Sequence, residues 1–140
     1  MTPPWAAGEE PQTLSVARSS DVVQVRQLVR TLAQRCGLSL VDQTKFITAA
    51  SELARNAVVY GGGGTVRAGV AERGVRRGLA AVFEDKGPGI PDVELAMTDG
   101  WTSGGGLGLG LSGTRRLVDE FDLVTAVGEG TTVTIIKWAR

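Results

Sequence analysis

Leu79-Ala80-Ala81-Val82-Phe83-Glu84-Asp85-Lys86-Gly87-Pro88-Gly89-Ile90 is an unbroken apolar run that ends on two acids and then breaks into a Gly/Pro loop. Five apolar residues without polar alternation read as a central strand covered on at least one face. Working outward, Thr65 to Ala71 alternates as a second strand, and the polar stretch Glu72 to Gly78 is the turn between them. Leu123 to Val127 and Thr132 to Trp138 form a final hairpin around Gly128-Glu129-Gly130, and Gln12 to Ala17 alternates as a short strand. Upstream, Val22, Val25, Leu28, Val29, Leu32, Ala33 and Cys36 fall at helical spacing behind an N-cap cluster of Ser19, Ser20 and Asp21, and Gly37 closes the segment. A second helix runs from Val41 to Val59, and a third from Leu111 to Phe121. Two helices, then strands, one helix and two more strands do not alternate as a doubly wound parallel sheet does. The order predicts an α+β, two-layer sandwich, with helices on one face of a mixed, mostly antiparallel sheet.

The 140 residues suit one domain over residues 12–140, preceded by a tail of residues 1–11 that reads as loose and flexible. Hydrophobic residues make up 42% and charged residues 21%, enough apolar surface for a core without a disulfide or metal staple. The single Cys36 lies in an apolar helical pattern and reads as a reduced structural thiol. Net charge is zero, and no run of Lys or Arg occurs. The expectation is therefore no nucleic-acid partner and no membrane partner. No secretory signal and no apolar run of about 20 residues is present, so a cytoplasmic protein is expected. The chain contains no histidine. Ser-His-Asp triads, imidazole bases, His-ligated zinc and an autophosphorylated histidine are all excluded within it.

Three stretches carry chemistry. In Ser51-Glu52-Leu53-Ala54-Arg55-Asn56, Glu52 and Asn56 lie one helical turn apart and share a face, where a carboxylate and a carboxamide can hold a hydrated Mg²⁺ and orient a hydroxyl or water. By itself the pair reads as a solvated helix face. In Asp85-Lys86-Gly87-Pro88-Gly89-Ile90, a strand-ending carboxylate beside two glycines suits a planar base: the carboxylate accepts from an exocyclic amine, and Gly87 and Gly89 leave room for the ring. Asp, Gly and Pro also make ordinary turns. The third stretch is Gly104-Gly105-Gly106-Leu107-Gly108-Leu109-Gly110, whose backbone N–H groups can wrap phosphates ahead of a helix. Gly108 to Gly113 also fits G-x-G-x-x-G, but no strand precedes it, and no P-loop motif exists.

The order of these elements, completed by Gly130-Thr131-Thr132 before a last strand, resembles the ATP site of the GHKL superfamily (gyrase, Hsp90, histidine kinases, MutL), from about Ser39 to the C-terminus. The resemblance implies ATP and Mg²⁺ as cofactors. It makes Glu52 the general base, Asn56 the Mg²⁺ ligand, Asp85 the acceptor for the adenine amine, and Gly104 to Gly110, with Leu107 and Leu109, a lid over the phosphates. Thr131 or Thr132 would assist Asp85. The large additional domains of gyrase, MutL and Hsp90 do not fit in this length, and a histidine kinase needs an acceptor His. Thr44 to Asn56, Asp85 to Asp92, Gly104 to Gly113, Arg115 to Phe121 and Ile135 to Trp138 are similar to the stand-alone bacterial serine kinases of the RsbT type, the switch kinases of the stressosome. That resemblance implies phosphorylation of serine or threonine on a STAS-domain antagonist or scaffold protein. It also implies activation of a PP2C-type phosphatase by the released kinase. An anti-sigma kinase that sequesters a sigma factor on the same fold is the alternative. Trp101, Arg115 and Arg116 have no single reading: Trp101 could pack beside the lid or meet a partner, and Arg115 and Arg116 could reach phosphates or simply be solvated.

Overall fold

A computed structural model of the chain describes residues 1–98 and 110–140. Five strands are described: β1 (Gln12–Val16), β2 (Gly64–Arg73), β3 (Arg76–Asp85), β4 (Glu120–Ala126) and β5 (Gly130–Trp138). They form one sheet in the order β1-β2-β3-β5-β4, and every one of these pairings is antiparallel. Helices α1 (Ser19–Arg35) and α2 (Leu40–Val59) cover one face, joined by the short α3 (Val93–Ala96) and by α4 (Gly110–Arg116). The expected α+β sandwich is present, and the part of the sheet called mixed is antiparallel too.

Side-chain alternation assigns the two faces. Leu79, Ala81 and Phe83 of β3 and Val133 and Ile135 of β5 join the main core beneath Val25, Val29, Phe46, Ala50 and Leu53 of the helices. Ala80, Ile136 and Trp138 point the other way and form a smaller cluster with Ala71. Trp138 is 2% exposed, with the guanidinium groups of Arg73 and Arg76 centred 5.3 and 4.6 Å from its ring and its Nε1–H donating to Glu120 at 2.8 Å. Both faces of β3 and β5 are thus covered, which is why Leu79 to Phe83 is apolar throughout.

Element ends follow local chemistry. Ser39 caps α2 by accepting the Asp42 N–H at 3.1 Å, an interaction worth about 1 kcal/mol. At α1 the expected Ser/Ser/Asp cap cluster is displaced: Ser19 and Ser20 are already helical, Arg18 is the cap residue, and the Asp21 carboxylate accepts the N–H groups of Ala17 and Arg18. The third helix ends at Arg116, earlier than Phe121, because Asp119 is drawn into the sheet: its N–H donates to the Ile136 carbonyl and its carboxylate accepts the Trp138 N–H.

The segment read from sequence as a loose tail has defined contacts. Trp5 bridges Ala71 on the edge of β2, flanked by hydrogen bonds from Ala6 N–H to the Val70 carbonyl and from Glu72 N–H to the Pro4 carbonyl. A side chain at Gly69 would collide with Pro11 and reach Trp5, so the glycine is the seat for this segment. Glu9 pairs with Arg35 and Arg77. Exposed pairs of this kind contribute about 0.2–1 kcal/mol, whereas a buried large apolar side chain contributes about 1.5–3 kcal/mol. The hold on the segment therefore comes mainly from Trp5 and the buried Ala6. No described helix is long and apolar enough to cross a membrane.

Cys36 is 5% exposed and donates its S–H to the Gly78 carbonyl at 3.1 Å, and burial pushes its pKa up to about 11. Ellman's reagent at pH 8 should label the native protein only through unfolding, and guanidinium should accelerate labelling at least about a hundredfold. Because the folded-state pKa is the higher one, the stability tied to this thiol is intact below about pH 9 and declines toward pH 11. Rapid native labelling would contradict this burial.

Candidate functional site

The carboxyl end of β3, the C-terminal half of α2 and the start of β5 meet at a pocket. It is partly open to solvent, and the space within it, open solvent included, is about 560 Å³. Leu53, Asn56 and Ala57 of α2, with Tyr60 just after its end, form one wall; Phe83 and Asp85 of β3 with Thr131 and Val133 of β5 form the floor. Ile90, Ala96 and Leu111, from the loop after β3 and from α3 and α4, complete the rim. Most of the lining is apolar, and its polar side chains are Asn56, Tyr60, Asp85 and Thr131.

The antiparallel register explains the floor. Asp85 lies opposite Thr131 and Phe83 opposite Val133, so all four project to the helix side. Thr132 pairs with Glu84 and opens instead on a shallow groove shared with Glu84 and Val124. Between the two threonines expected beside Asp85, the sheet brings Thr131 to the pocket and turns Thr132 away. Asp85 has one oxygen committed, since Oδ1 accepts the Gly87 N–H at 2.9 Å. That short loop-closing bond fixes the carboxylate plane and leaves Oδ2 for another donor.

The expected cluster is brought together in part. Asn56, Asp85 and Thr131 line the same pocket. Glu52 lies one turn before Asn56 on α2 and does not line it; its side chain is 16% exposed, with Oε1 4.0 Å from Arg55 Nη1. Gly104, Gly105, Gly106, Leu107, Gly108 and Leu109 lie outside the described residues, as does Trp101. Gly110 starts α4 with φ +68°, and the next residue, Leu111, is on the pocket rim. Arg115 and Arg116 are exposed in the last turn of α4.

For Gly87 and Gly89 the structure supplies a reason other than room for a ring. A Cβ on Gly87 would meet Gly61 Cα at 2.6 Å, and one on Gly89 would strike the Ala126 carbonyl of the β4–β5 turn. With the Gly128 N–H donating to the Pro88 carbonyl and the Ile90 N–H to Thr125, the loop after β3 is fastened to that turn. Gly61 is a further residue at this site. A Cβ there would overlap the Asp85 carboxyl and come within 2.8 Å of the Ala57 carbonyl. The end of α2 thus lies directly against Asp85, a packing that spacing within Gly61-Gly62-Gly63-Gly64 does not reveal.

Residues 41–139 match the family model described as histidine kinase-, DNA gyrase B- and HSP90-like ATPase. The chain is 50% identical over 121 residues to the serine/threonine-protein kinase RsbT of Bacillus subtilis, covering 86% of this chain and 90% of that protein. Among solved structures, the RsbU and RsbW domains of a Mycobacterium tuberculosis protein superpose with a TM-score of 0.63 at 22% identity, over 93% of this chain and 33% of that one. The mycobacterial sensor histidine kinase MprB gives a TM-score of 0.51 at 23% identity, over 93% of this chain and 98% of that one. At such identities the two structures speak for the fold alone.

If Asp85 is held in place by Gly61 and is the acceptor for an adenine amine that the sequence leads one to expect, then Gly61→Ala should leave the far-ultraviolet circular dichroism spectrum unchanged and weaken nucleotide binding at least about tenfold, because the added methyl must displace the carboxyl group. Calorimetry checks this, and unaltered affinity would show that the contact is slack.

Proposed function

This chain belongs to the histidine kinase-, DNA gyrase B- and HSP90-like ATPase family, and we propose that it is a serine/threonine protein kinase that transfers the γ-phosphoryl group of ATP to a STAS-domain antagonist or scaffold protein. The observation that carries the reading is the convergence of Asn56, Asp85 and Thr131 on one largely apolar pocket. The 50% identity to RsbT over most of both chains supports protein-kinase chemistry in a partner-switching system.

In this reading Asp85 Oδ2 accepts from the adenine amine, while Phe83, Ile90 and Val133 pack on the ring. The phosphates then extend toward Asn56. Its neutral carboxamide oxygen suits Mg²⁺, which prefers a few protein oxygens together with substrate phosphates and water. Among the described residues no group of three or more His, Cys, Asp or Glu could hold a metal without the nucleotide. Asn56 would hold Mg²⁺ there together with ATP, and the ion would supply charge neutralisation on the phosphates. Glu52 is the general base: one turn from Asn56 on the same rigid helix, it accepts the proton of the incoming serine hydroxyl. Residues 104–110 lead into Leu111 on the rim, and we assign them to covering the phosphates and keeping water from the γ-phosphoryl group. The same reading gives the protein a cytoplasmic location and a second partner, a PP2C-type phosphatase activated when the kinase is released from its STAS protein.

Radiolabel from γ-labelled ATP should appear on serine or threonine of a candidate STAS protein. Glu52→Ala should slow transfer at least about a hundredfold while ATP affinity changes less than about threefold. Asp85→Asn, which places an NH₂ donor against the amine, should weaken ATP at least about tenfold. Transfer by Glu52→Ala at the parent rate would remove Glu52 from the role of base. Equal calorimetric affinity for ATP in Asp85→Asn would remove Asp85 from adenine recognition.

A further inference from the structure

The nucleotide pocket and the residue assigned as base lie on two sides of α2. Leu53, Asn56 and Ala57 face the pocket, whereas Glu52 does not line it. Each helical residue turns by about 100°, so Glu52 stands about 40° from Asn56, on the side away from Leu53 and Ala57. Farther round in that direction, Val41, Lys45, Thr48, Arg55 and Val59 fall with Glu52 in one stripe, at spacings of three and four residues. All of them except the half-buried Glu52 are exposed, Val41 by 63% and Val59 by 53%. The opposite face of the same helix holds Phe46, Ala50, Leu53 and Ala57 in the core.

A general base works only within hydrogen-bond reach of the hydroxyl that it deprotonates. A folded acceptor cannot enter a pocket that the nucleotide fills, so a serine that reaches Glu52 comes from outside, over this stripe. The stripe is positive on both sides of its one acid. Arg55 Nη1 lies 4.0 Å from Glu52. Lys45, about 10 Å nearer the start of the helix, forms no ion pair with another described residue.

We infer that the exposed stripe of α2 is the docking surface for the phosphate acceptor, and that Lys45 selects a partner with an acidic side chain about 10 Å from the accepting hydroxyl. The inference rests on the reading of Glu52 as the base of a protein kinase. Val41 and Val59 gain from being covered, and so fit small apolar side chains of the partner at the two ends. The charge pair at Lys45 fixes register along the helix and speeds encounter. One helix thus serves both substrates, with the nucleotide on its inner side and the acceptor on its outer side.

The test uses the full chain with the STAS protein that it labels from γ-labelled ATP, read as KM for that protein, kcat and calorimetric ATP affinity. Lys45→Glu should raise KM at least about fivefold, with kcat and ATP affinity within about twofold of the parent. Salt at about 0.5 M, where the Debye length is about 4 Å, should remove most of that difference. Val41→Asp should also raise KM at least about fivefold, and an acid in the first turn suits the helix dipole, so the fold is spared. Arg67→Glu, the same reversal on the outer face of the sheet, should leave KM within about twofold. An equal rise with Arg67→Glu, a loss in kcat alone, or a rise that salt does not change overturns the inference. So does a sedimentation shift showing that a second copy of the chain covers the stripe. Absence of transfer from the parent to any STAS protein overturns the kinase reading and this inference together; transfer at the parent's KM by both Lys45→Glu and Val41→Asp overturns this inference alone.

Discussion

The pairing of β3 with β5, in the register that sets Asp85 opposite Thr131, is the constraint on which the rest of the site depends. Side chains alternate across a sheet, so a slip of one residue would turn Asp85 and Phe83 to the outer face and bring Glu84 to the helices. The register is held from both sides. Leu79, Ala81, Phe83, Val133 and Ile135 belong to the main core, while Ala80, Ile136 and Trp138 are buried on the opposite face. Lys137 adds a directional lock: it is 4% exposed, and its Nζ lies 3.7 Å from Asp42 in the first turn of α2. The end of β5 is thereby tied to the start of the helix whose other end contacts Asp85.

From that register the pocket follows in short steps. The α2 terminus can approach Asp85 because Gly61 has no side chain, and the loop after β3 can pass Gly61 because Gly87 has none. The β4–β5 turn then closes on that loop at Gly89, and Gly130 fits against the Asp85 carbonyl with φ +112°, a conformation reserved in practice for glycine. Four glycines from three parts of the chain therefore serve backbone contact around one carboxylate. Their common purpose is to hold Asp85 still, and a fixed acceptor is what lets a pocket discriminate between ring substituents.

Much of this was legible in the sequence. Alternation and apolar runs located the strands, because residue period survives whatever packs on it. The Asp85 loop and the Glu52/Asn56 helix face could be read for the same reason. Other features needed the third dimension. The sequence offered Thr131 and Thr132 equally, and only the partner strand decides which of two adjacent residues faces the helices. Gly61 looked like any linker glycine, since its neighbour Asp85 is distant in sequence and adjacent in space. Residues 1–11 lacked periodicity because they pack through isolated contacts, Trp5 on the outer face and Glu9 toward two arginines. The end of α4 was placed too late because Asp119 has ordinary helix propensity, and its capture by β5 is a tertiary effect.

The central claim is that the corner formed by Asp85 and Thr131 holds the adenine ring while Asn56, a turn beyond Glu52, faces the phosphates. A crystal structure with Mg²⁺ and a non-hydrolysable ATP analogue tests it most directly. The account predicts the adenine amine within hydrogen-bond distance, about 3 Å, of Asp85 Oδ2, and the Asn56 carboxamide oxygen coordinated to the ion. A purine bound elsewhere, or one whose amine points away from Asp85, would contradict it.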